Sequence, residues 1–594
     1  MCRNRGGYFN VMFTDFKKVQ IFKKIFLVIF VTLFSACMPT QVPTEPPVDD
    51  QPPPTPAPHL TPVIVTVKNT NGEVIDNAIV RLLGTSFTTK KITDGKYNFD
   101  GCTENGILTV SAPGYFIETT NCIVGNSEYE VFLSAIPQLD NHQYVWNSAE
   151  ACKGCHLNYT IASIPRLHDE YTEWANDGHS KVFSNPYLRD TYLGTSFSGF
   201  IDPNRNLGYR LDYPSNYGNC AYCHAPTTVL NADLEVDLTP YFNQSGTVFT
   251  DGINCDVCHK VYKVNINQEG YPYPDRPGIL SYELLRPNDP FNQQYFGPSS
   301  DINLEKDIHP ERFSSLNISC SSVYASSQFC APCHYGKFWD TMIYNSYGEW
   351  KNSVFGAEGK DTYQTCQDCH MSNSEVSSDN GCVDGQYTES NHNMLKRDVV
   401  SGLPSMIENA ASIGAKLDYK PKKDLVQVDV EVINQTVGHK FPTDSPLRHL
   451  ILYIEARNAN GNLLPQVSGE SIPLWAGVGD PIYGEYGGRA GKIFANLLMV
   501  ENSDIFPTIA YWNKTKQAWV DSDNRLLPKN YNEDVSEEHP DKSTYAFAAP
   551  ESGRVDVTIK LIYRYAFIDL ARQKGWDIQD DIVVAEYKDS VKVP

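Results

Sequence analysis

Cys152-Lys-Gly-Cys155-His156 opens a series that continues with Cys220-Ala-Tyr-Cys223-His224, Cys255-Asp-Val-Cys258-His259, Cys330-Ala-Pro-Cys333-His334 and Cys366-Gln-Asp-Cys369-His370. Each copy places two thiols and one imidazole within five residues. Cys-x-x-Cys-His is the attachment signature of a c-type haem. Two thiols add across the porphyrin vinyl groups, and the adjacent His binds the iron. About 0.01 such motifs would arise by chance at this Cys and His content. Zinc sites and thioredoxin-like redox pairs also use Cys-x-x-Cys, but neither requires His at the next position every time. The sequence therefore predicts five covalently attached haem c groups, with Cys152, Cys155, Cys220, Cys223, Cys255, Cys258, Cys330, Cys333, Cys366 and Cys369 as attachment points. It predicts His156, His224, His259, His334 and His370 as iron ligands.

The N-terminus predicts export. Lys17, Lys18, Lys23 and Lys24 precede the apolar run Ile25 to Phe34, and Ser35-Ala36-Cys37 follows. This is a charged region, a short apolar region and a small-residue cleavage site. The run is too short for a membrane span. Cleavage before Cys37 resembles a bacterial lipoprotein signal, although Phe34 stands where such signals carry Leu. The expectation is a signal peptide over 1–36 and an exported lipoprotein of the outer membrane or cell surface, held through lipid on Cys37. Without lipidation the chain would be periplasmic.

The chain carries a formal charge of −22, which argues against nucleic acid and anionic lipid as partners. Of sixteen cysteines, ten fall in the motifs, and Cys2 and Cys37 belong to the leader and the lipid site. Cys102, Cys122, Cys320 and Cys382 remain, an even number that suggests two disulfides in an oxidising compartment. Cys102–Cys122 lies within one β-domain, and Cys320–Cys382 would staple two haem-bearing loops.

The predicted fold class is multidomain: a haem-packed, mainly α and irregular pentahaem cytochrome c domain flanked by two all-β, Ig-like sandwich domains. Residues 37–62 hold Cys37 and a proline-rich spacer, semi-extended and without a core. Residues 63–135 read as a β-sandwich: Val63, Val65 and Val67 alternate, and Asn71-Gly72 marks a hairpin turn. Residues 138–400 carry every motif and few long periodic runs, as suits a core made largely of porphyrin. A weak repeat links Tyr171-Thr-Glu-Trp174 to Tyr347-Gly-Glu-Trp350; the first copy continues to His179, and the second has no equivalent His. Residues 415–594 read as a second sandwich, with Val426, Val428, Val430 and Val432, and then Val555, Val557, Ile559 and Leu561, in alternation.

An iron held only by its motif His keeps an open position for small molecules; a second His closes it and favours electron transfer. Nine histidines lie outside the motifs: His59, His142, His168, His179, His309, His392, His439, His449 and His539. His179, His392 and His439 are the preferred distal ligands, followed by His168 and His309. His168 and His179 fall on nearly one helical face, about 16 Å apart, so a single helix would serve two haems if Gly178 does not end it. His439 sits in Val437-Gly-His-Lys-Phe-Pro-Thr443, a loop suited to reach a neighbouring domain.

These residues resemble the bacterial multihaem cytochromes c of the superfamily that contains hydroxylamine oxidoreductase, pentahaem nitrite reductase and a tetrahaem electron-carrier cytochrome. The carrying features are Cys152–His156 followed by Glu173-Trp-Ala-Asn-Asp-Gly-His179, then Gly252-Ile-Asn-Cys-Asp-Val-Cys-His259, Phe329-Cys-Ala-Pro-Cys-His334 and Gly438-His-Lys-Phe-Pro-Thr443. The resemblance covers roughly residues 145–460. It implies packed haem pairs and assigns His179 as a distal ligand. All five motifs end in His, whereas nitrite reductases of this superfamily usually place Lys in one. Hydroxylamine oxidoreductase has eight haems and a cross-linking Tyr. Residues 63–135 are similar to the carboxypeptidase regulatory-like β-domain, through Val67-Lys-Asn-Thr-Asn-Gly72, Asp94-Gly95-Lys-Tyr-Asn-Phe99 and Ala112-Pro-Gly-Tyr115.

The leading functional expectation is electron relay through bis-His haems, between membrane or periplasmic donors and a periplasmic or extracellular acceptor. Its partners are redox proteins or an extracellular electron acceptor, and the chain is a carrier rather than a catalyst. The alternative is an oxidoreductase acting on a small nitrogen or sulfur compound at one five-coordinate haem. A third reading makes the β-modules a surface-binding device.

Overall fold

The computed structural model describes residues 62–594 apart from 83–89, 100, 103–105, 158–168, 195–207, 289–292, 299–315, 339–340, 372–377, 380–381, 384–389, 395–405, 501–516, 520–522, 529–538 and 578–579. The leader, Cys37 and the proline-rich spacer lie outside the described residues. Among the described residues no helix is long and apolar enough to cross a membrane.

Each Cys-x-x-Cys-His motif falls on a short helix: Ala149–His156, Ala221–His224, Cys255–Cys258, Ala331–His334 and Cys366–His370. The spacing needs a helix, because residues three and four apart share one face. Local capping starts two of them. Asn254 accepts from the Val257 N–H, and Thr365 forms a capping box with Asp368. The helices are joined by irregular chain and two-stranded ribbons. The core between them is rich in aromatic side chains, among them Tyr144, Trp146, Phe183, Tyr192, Tyr209 and Phe296.

The N-terminal region packs a sheet ordered Lys90–Thr93, Lys96–Phe99, Val63–Asn69 and Glu128–Leu133 against a smaller one of Ile79–Leu82, Gly106–Ser111 and Glu118–Cys122. In Val63–Asn69 alternate residues are buried, as a strand with one covered face requires. The turn at Asp94-Gly95 has positive φ at both residues (49° and 69°), the geometry of a tight hairpin. Cys102 and Cys122 form a disulfide. The side chains of Cys320 and Cys382 lie outside what the structure describes. Ile117 N–H donates to Ile318 O and Ser319 Oγ–H to Tyr115 O, so this sandwich is stitched to the motif-bearing region.

The C-terminal region is two four-stranded antiparallel sheets with one shared core. One is ordered Ala411–Lys420, Leu425–Asn434, Asp541–Ala548 and Gln466–Ser468; the other Gly491–Ala495, His449–Asn458, Gly553–Arg564 and Ile582–Val593. It docks on the motif-bearing region at two places. Trp576 stacks near Tyr187, with ring centres 4.4 Å apart, and its indole N–H donates to the buried Asp190 at 2.6 Å. Arg525 pairs with Glu349 at 2.8 Å, with side chains 7% and 2% exposed. Burial this complete makes the pair intolerant of losing either partner.

Candidate haem sites

The described motif thiols are half-buried, and the motif imidazoles keep accessible surface, 41% at His334 and 47% at His156. Thiols and imidazoles together are the donor set that a covalently attached haem needs.

The imidazoles test the fit more sharply. Two imidazoles bound on opposite sides of one metal ion, each about 2.0–2.1 Å from it with the ring centre roughly 1.1 Å further on, have centroids about 6.3 Å apart. His179 and His334 stand at 6.3 Å, and His259–His392 and His370–His439 at 6.4 Å. Each pair joins one motif His to one His from outside the motifs.

Hydrogen bonds fix the tautomers. Nδ1 of His259 donates to Phe296 O (2.8 Å), of His370 to Met394 O (2.8 Å), of His392 to Ser390 O (2.8 Å) and of His439 to Lys440 O (2.9 Å). Nδ1 of His334 meets Asp444 Oδ2 at 3.1 Å, and Nδ1 of His179 meets Asp177 Oδ1 at 2.6 Å. His224 faces Val182 O at 3.4 Å and His156 faces Glu170 Oε2 at 3.4 Å. A ring that donates from Nδ1 keeps its lone pair on Nε2, the nitrogen left for a metal. Burial alone would raise the Asp444 carboxyl. The hydrogen bond from His334, with Arg448 and the Ser346 N–H, outweighs it and holds the group well below the usual carboxylate range.

Three distal candidates are placed by three different devices. His179 opens the helix Gly178–Lys181, whose N-cap is Asp177. The helix that carries His179 does not run back through the preceding residues. The preceding helix, Glu170–Asn176, begins after its own cap Asp169 and closes when Asp177 N–H bonds back to Trp174 O. The Asp177 carboxylate then caps the next helix, so His179 stands on a new helix rather than on a continuation of Glu170–Asn176. His168 itself lies outside the described residues. His392 sits on the segment 390–394, which is pinned by His392 N–H to Glu173 and Met394 N–H to Asp177. His439 comes from the C-terminal sandwich, on the loop after Leu425–Asn434.

The weak repeat explains that third device. Trp174 and Trp350 each donate an indole N–H to a backbone carbonyl, of Ile253 and Gln364. Five residues after Trp174 stands His179; five after Trp350 stands Phe355. A Cβ built on Gly438 would stand 3.3 Å from the Phe355 ring. Where the first copy supplies an imidazole, the second supplies an apolar seat for the loop that brings His439.

The remaining histidines divide. His309 and His59 lie outside the described residues. His142 Nδ1 accepts from Arg286 at 3.1 Å, the opposite polarity to the paired rings. His449 is fully buried against Trp475 and Phe567, and burial pushes it down to about 3, as for a neutral core histidine. His539 lies just before the strand Asp541–Ala548. Asp177, Asp444 and Asp256 were not among the residues that the sequence singled out. A carboxylate two residues before a candidate ligand, as in Asp177-Gly-His179, is the one local signal that pointed to any of them.

The sulfurs relate the motifs to one another. The side chain of Cys152 lies close to that of Cys255, Cys223 to Cys333 and Cys330 to Cys366, and Cys258 lies within electrostatic reach of Cys333. The fourth motif thus adjoins the second, third and fifth, and the first adjoins the third.

No protein-family model matches the chain, and no curated protein matches it. Among solved structures it is similar to a penta-heme cytochrome c552 from Thermochromatium tepidum, with 19% identity over 75% of this chain and 99% of that one, at a TM-score of 0.47. At so loose an overlap the haem reading rests on the motifs and the imidazole pairs.

Proposed function

We propose that this chain is an exported pentahaem c-type cytochrome that relays electrons between membrane or periplasmic donors and a periplasmic or extracellular acceptor. The observation that carries the reading is the set of three imidazole pairs at metal-spanning distance, each with both Nδ1 atoms tied to oxygen. Haem iron, when bound, supplies a one-electron Fe(III)/Fe(II) couple. His334 with His179, His259 with His392 and His370 with His439 would hold the iron, and the motif cysteines would anchor the porphyrin. With two imidazoles committed to each metal, these three sites would favour relay over chemistry on a substrate. Lipid on Cys37 would hold the protein at a membrane, and the proline-rich spacer would set its reach. The acidic chain, at −22, would present a negative surface to a redox partner.

Electron paramagnetic resonance of the oxidised protein tests this. The ring planes meet at 7° in His370–His439, 31° in His259–His392 and 63° in His179–His334. Parallel imidazoles split the iron dπ orbitals, and crossed ones leave them nearly degenerate. The expected spectrum therefore holds ordinary rhombic low-spin signals from the first two pairs and one signal of unusually large anisotropy from the third. Mass spectrometry should find haem on all five motif peptides. Fewer than three low-spin centres would sink the bis-His reading. A high-spin signal that moves with nitrite or hydroxylamine would transfer the proposal to an oxidoreductase acting at the first or second motif.

A further inference from the structure

We propose that Asp177 and Asp444 give the haem attached at Cys330 and Cys333 the lowest reduction potential of the set, by backing both of its axial histidines with buried carboxylates. This rests on the cytochrome reading above. His334 and His179 are the two rings of one pair, and each directs Nδ1 at a carboxylate, at 3.1 and 2.6 Å. The Asp177 and Asp444 side chains are 2% and 8% exposed. In the other two pairs all four Nδ1 atoms meet backbone carbonyls, which are neutral. Among the described residues Glu170 also faces a motif ring, His156, at a longer 3.4 Å and on a ring 47% exposed.

A hydrogen bond to an ionised acceptor is about twice as strong as one between neutral groups. It draws the Nδ1 proton outward and makes Nε2 a stronger donor to the metal. A stronger donor stabilises Fe(III) over Fe(II), and so do two anions in a low-dielectric setting. Arg448, within electrostatic reach of Asp444, offsets part of its field but not the hydrogen bond. Both carboxylates are held in place independently of the rings. Asp444 accepts from the N–H groups of Asn345 and Ser346 and from Ser346 Oγ–H, and Asp177 accepts from the N–H groups of His179 and Met394. Asp177 and Asp444 are therefore positioning residues built to aim charge at Nδ1. The site they tune is the one whose cysteines adjoin three other motifs.

The test is a potentiometric titration of the intact protein, with dithionite as the one-electron donor and paramagnetic resonance as the readout. One electron converts Fe(III) to Fe(II), and no bond or proton moves. The highly anisotropic signal of the crossed pair marks this site alone. In the unmodified protein it should be the last signal lost as the potential falls. Asp444→Asn and Asp177→Asn, made separately, should each move that same signal to higher potential by at least a tenfold change in its equilibrium constant, about 59 mV for one electron. The other signals should stay in place. The proposal is overturned if the signal disappears before the others in the unmodified protein, or if neither variant moves it. Two variants guard against one that folds poorly. If the peptide bearing Cys330 and Cys333 carries no haem, the cytochrome reading itself fails at this site.

Discussion

Replacing His439 by Ala should turn one six-coordinate site into an open one. The oxidised variant should lose one low-spin signal and gain one high-spin signal, and the reduced variant should bind one more equivalent of carbon monoxide than the unmodified protein. The ring of His439 lies 6.4 Å from that of His370, nearly parallel to it. The loop does not need the ring to keep its shape. Asn434 accepts from Val437 N–H and donates to His439 O. Lys440 N–H and Thr443 Oγ–H both donate to the buried Glu349, and Phe441 exchanges two backbone hydrogen bonds with Leu526. Lys440 reaches Asp523 at 2.7 Å. Removing the imidazole should therefore delete a ligand while leaving the loop in place. Added imidazole should then re-enter the space and restore the low-spin spectrum. Unchanged spectra in the variant would show that the fifth motif takes its second ligand elsewhere.

That experiment bears on what the C-terminal sandwich is for. One loop, Val437 to Asp444, brings the ring that faces the fifth motif and the carboxylate that backs the fourth. The domain is part of two candidate sites rather than an appended module. The sequence carried half of this. Gly438 and Pro442 beside His439 marked a loop able to reach outward, and unmet ligand positions made an outside His worth following. The same reasoning singled out His179 and His392, because side chains that bind a metal belong to few residue types and can be counted. The strands were also readable, since alternation such as Val426 to Val432 follows from one buried face.

The groups that orient the ligands could not be read in the same way. Asp444 stands 110 residues from His334, and Glu349 stands 94 from Thr443. Nothing in the spacing distinguishes such an Asp or Glu from a solvated one. Asp177 shows the complementary difficulty. The stretch from Glu170 to His179 is broken where Asp177 closes one helix with its N–H and caps the next with its carboxylate. Periodicity says where a helix would be amphipathic. It does not weigh a cap that competes for the same backbone N–H groups.

The largest expected loss of stability comes from inside the third motif. Asp256→Ala should lower the unfolding free energy by about 3–5 kcal/mol, the usual cost of removing one partner of a buried pair. Asp256 and Lys260 are both fully buried and meet at 3.1 Å. Asp256 also accepts from Tyr144 Oη–H at 3.0 Å and from Asn147 N–H at 2.7 Å. Lys260 donates to Gln294 O at 2.7 Å and lies 3.5 Å from the centre of the Tyr295 ring. Burial pushes the Lys260 ammonium down to about 8 and Asp256 opposes that shift, so at neutral pH the group is still a cation. Without Asp256 the cation keeps neutral partners, the Tyr295 ring, Gln294 O and Gln293 Oε1, and these do not replace a carboxylate. The Asn147 N–H loses its acceptor as well, at about 1–3 kcal/mol if it stays unmet, whereas the Tyr144 hydroxyl keeps Gln293 Oε1 at 2.8 Å. The loss should appear as a lower urea midpoint with an unchanged slope. The double variant Asp256→Ala, Lys260→Met should recover part of it, because a buried pair replaced whole costs far less than a pair broken. A single variant within about 1 kcal/mol of the parent, or a double no more stable than the single, would mean that the charges are not mutually dependent. The position also matters beyond stability. Asp256 lies between Cys255 and Cys258, and Asn147 lies two residues before the helix Ala149–His156. One carboxylate therefore ties the first motif to the third, where the Cys152 and Cys255 sulfurs meet. The same substitution should loosen that junction while leaving the His370–His439 pair untouched.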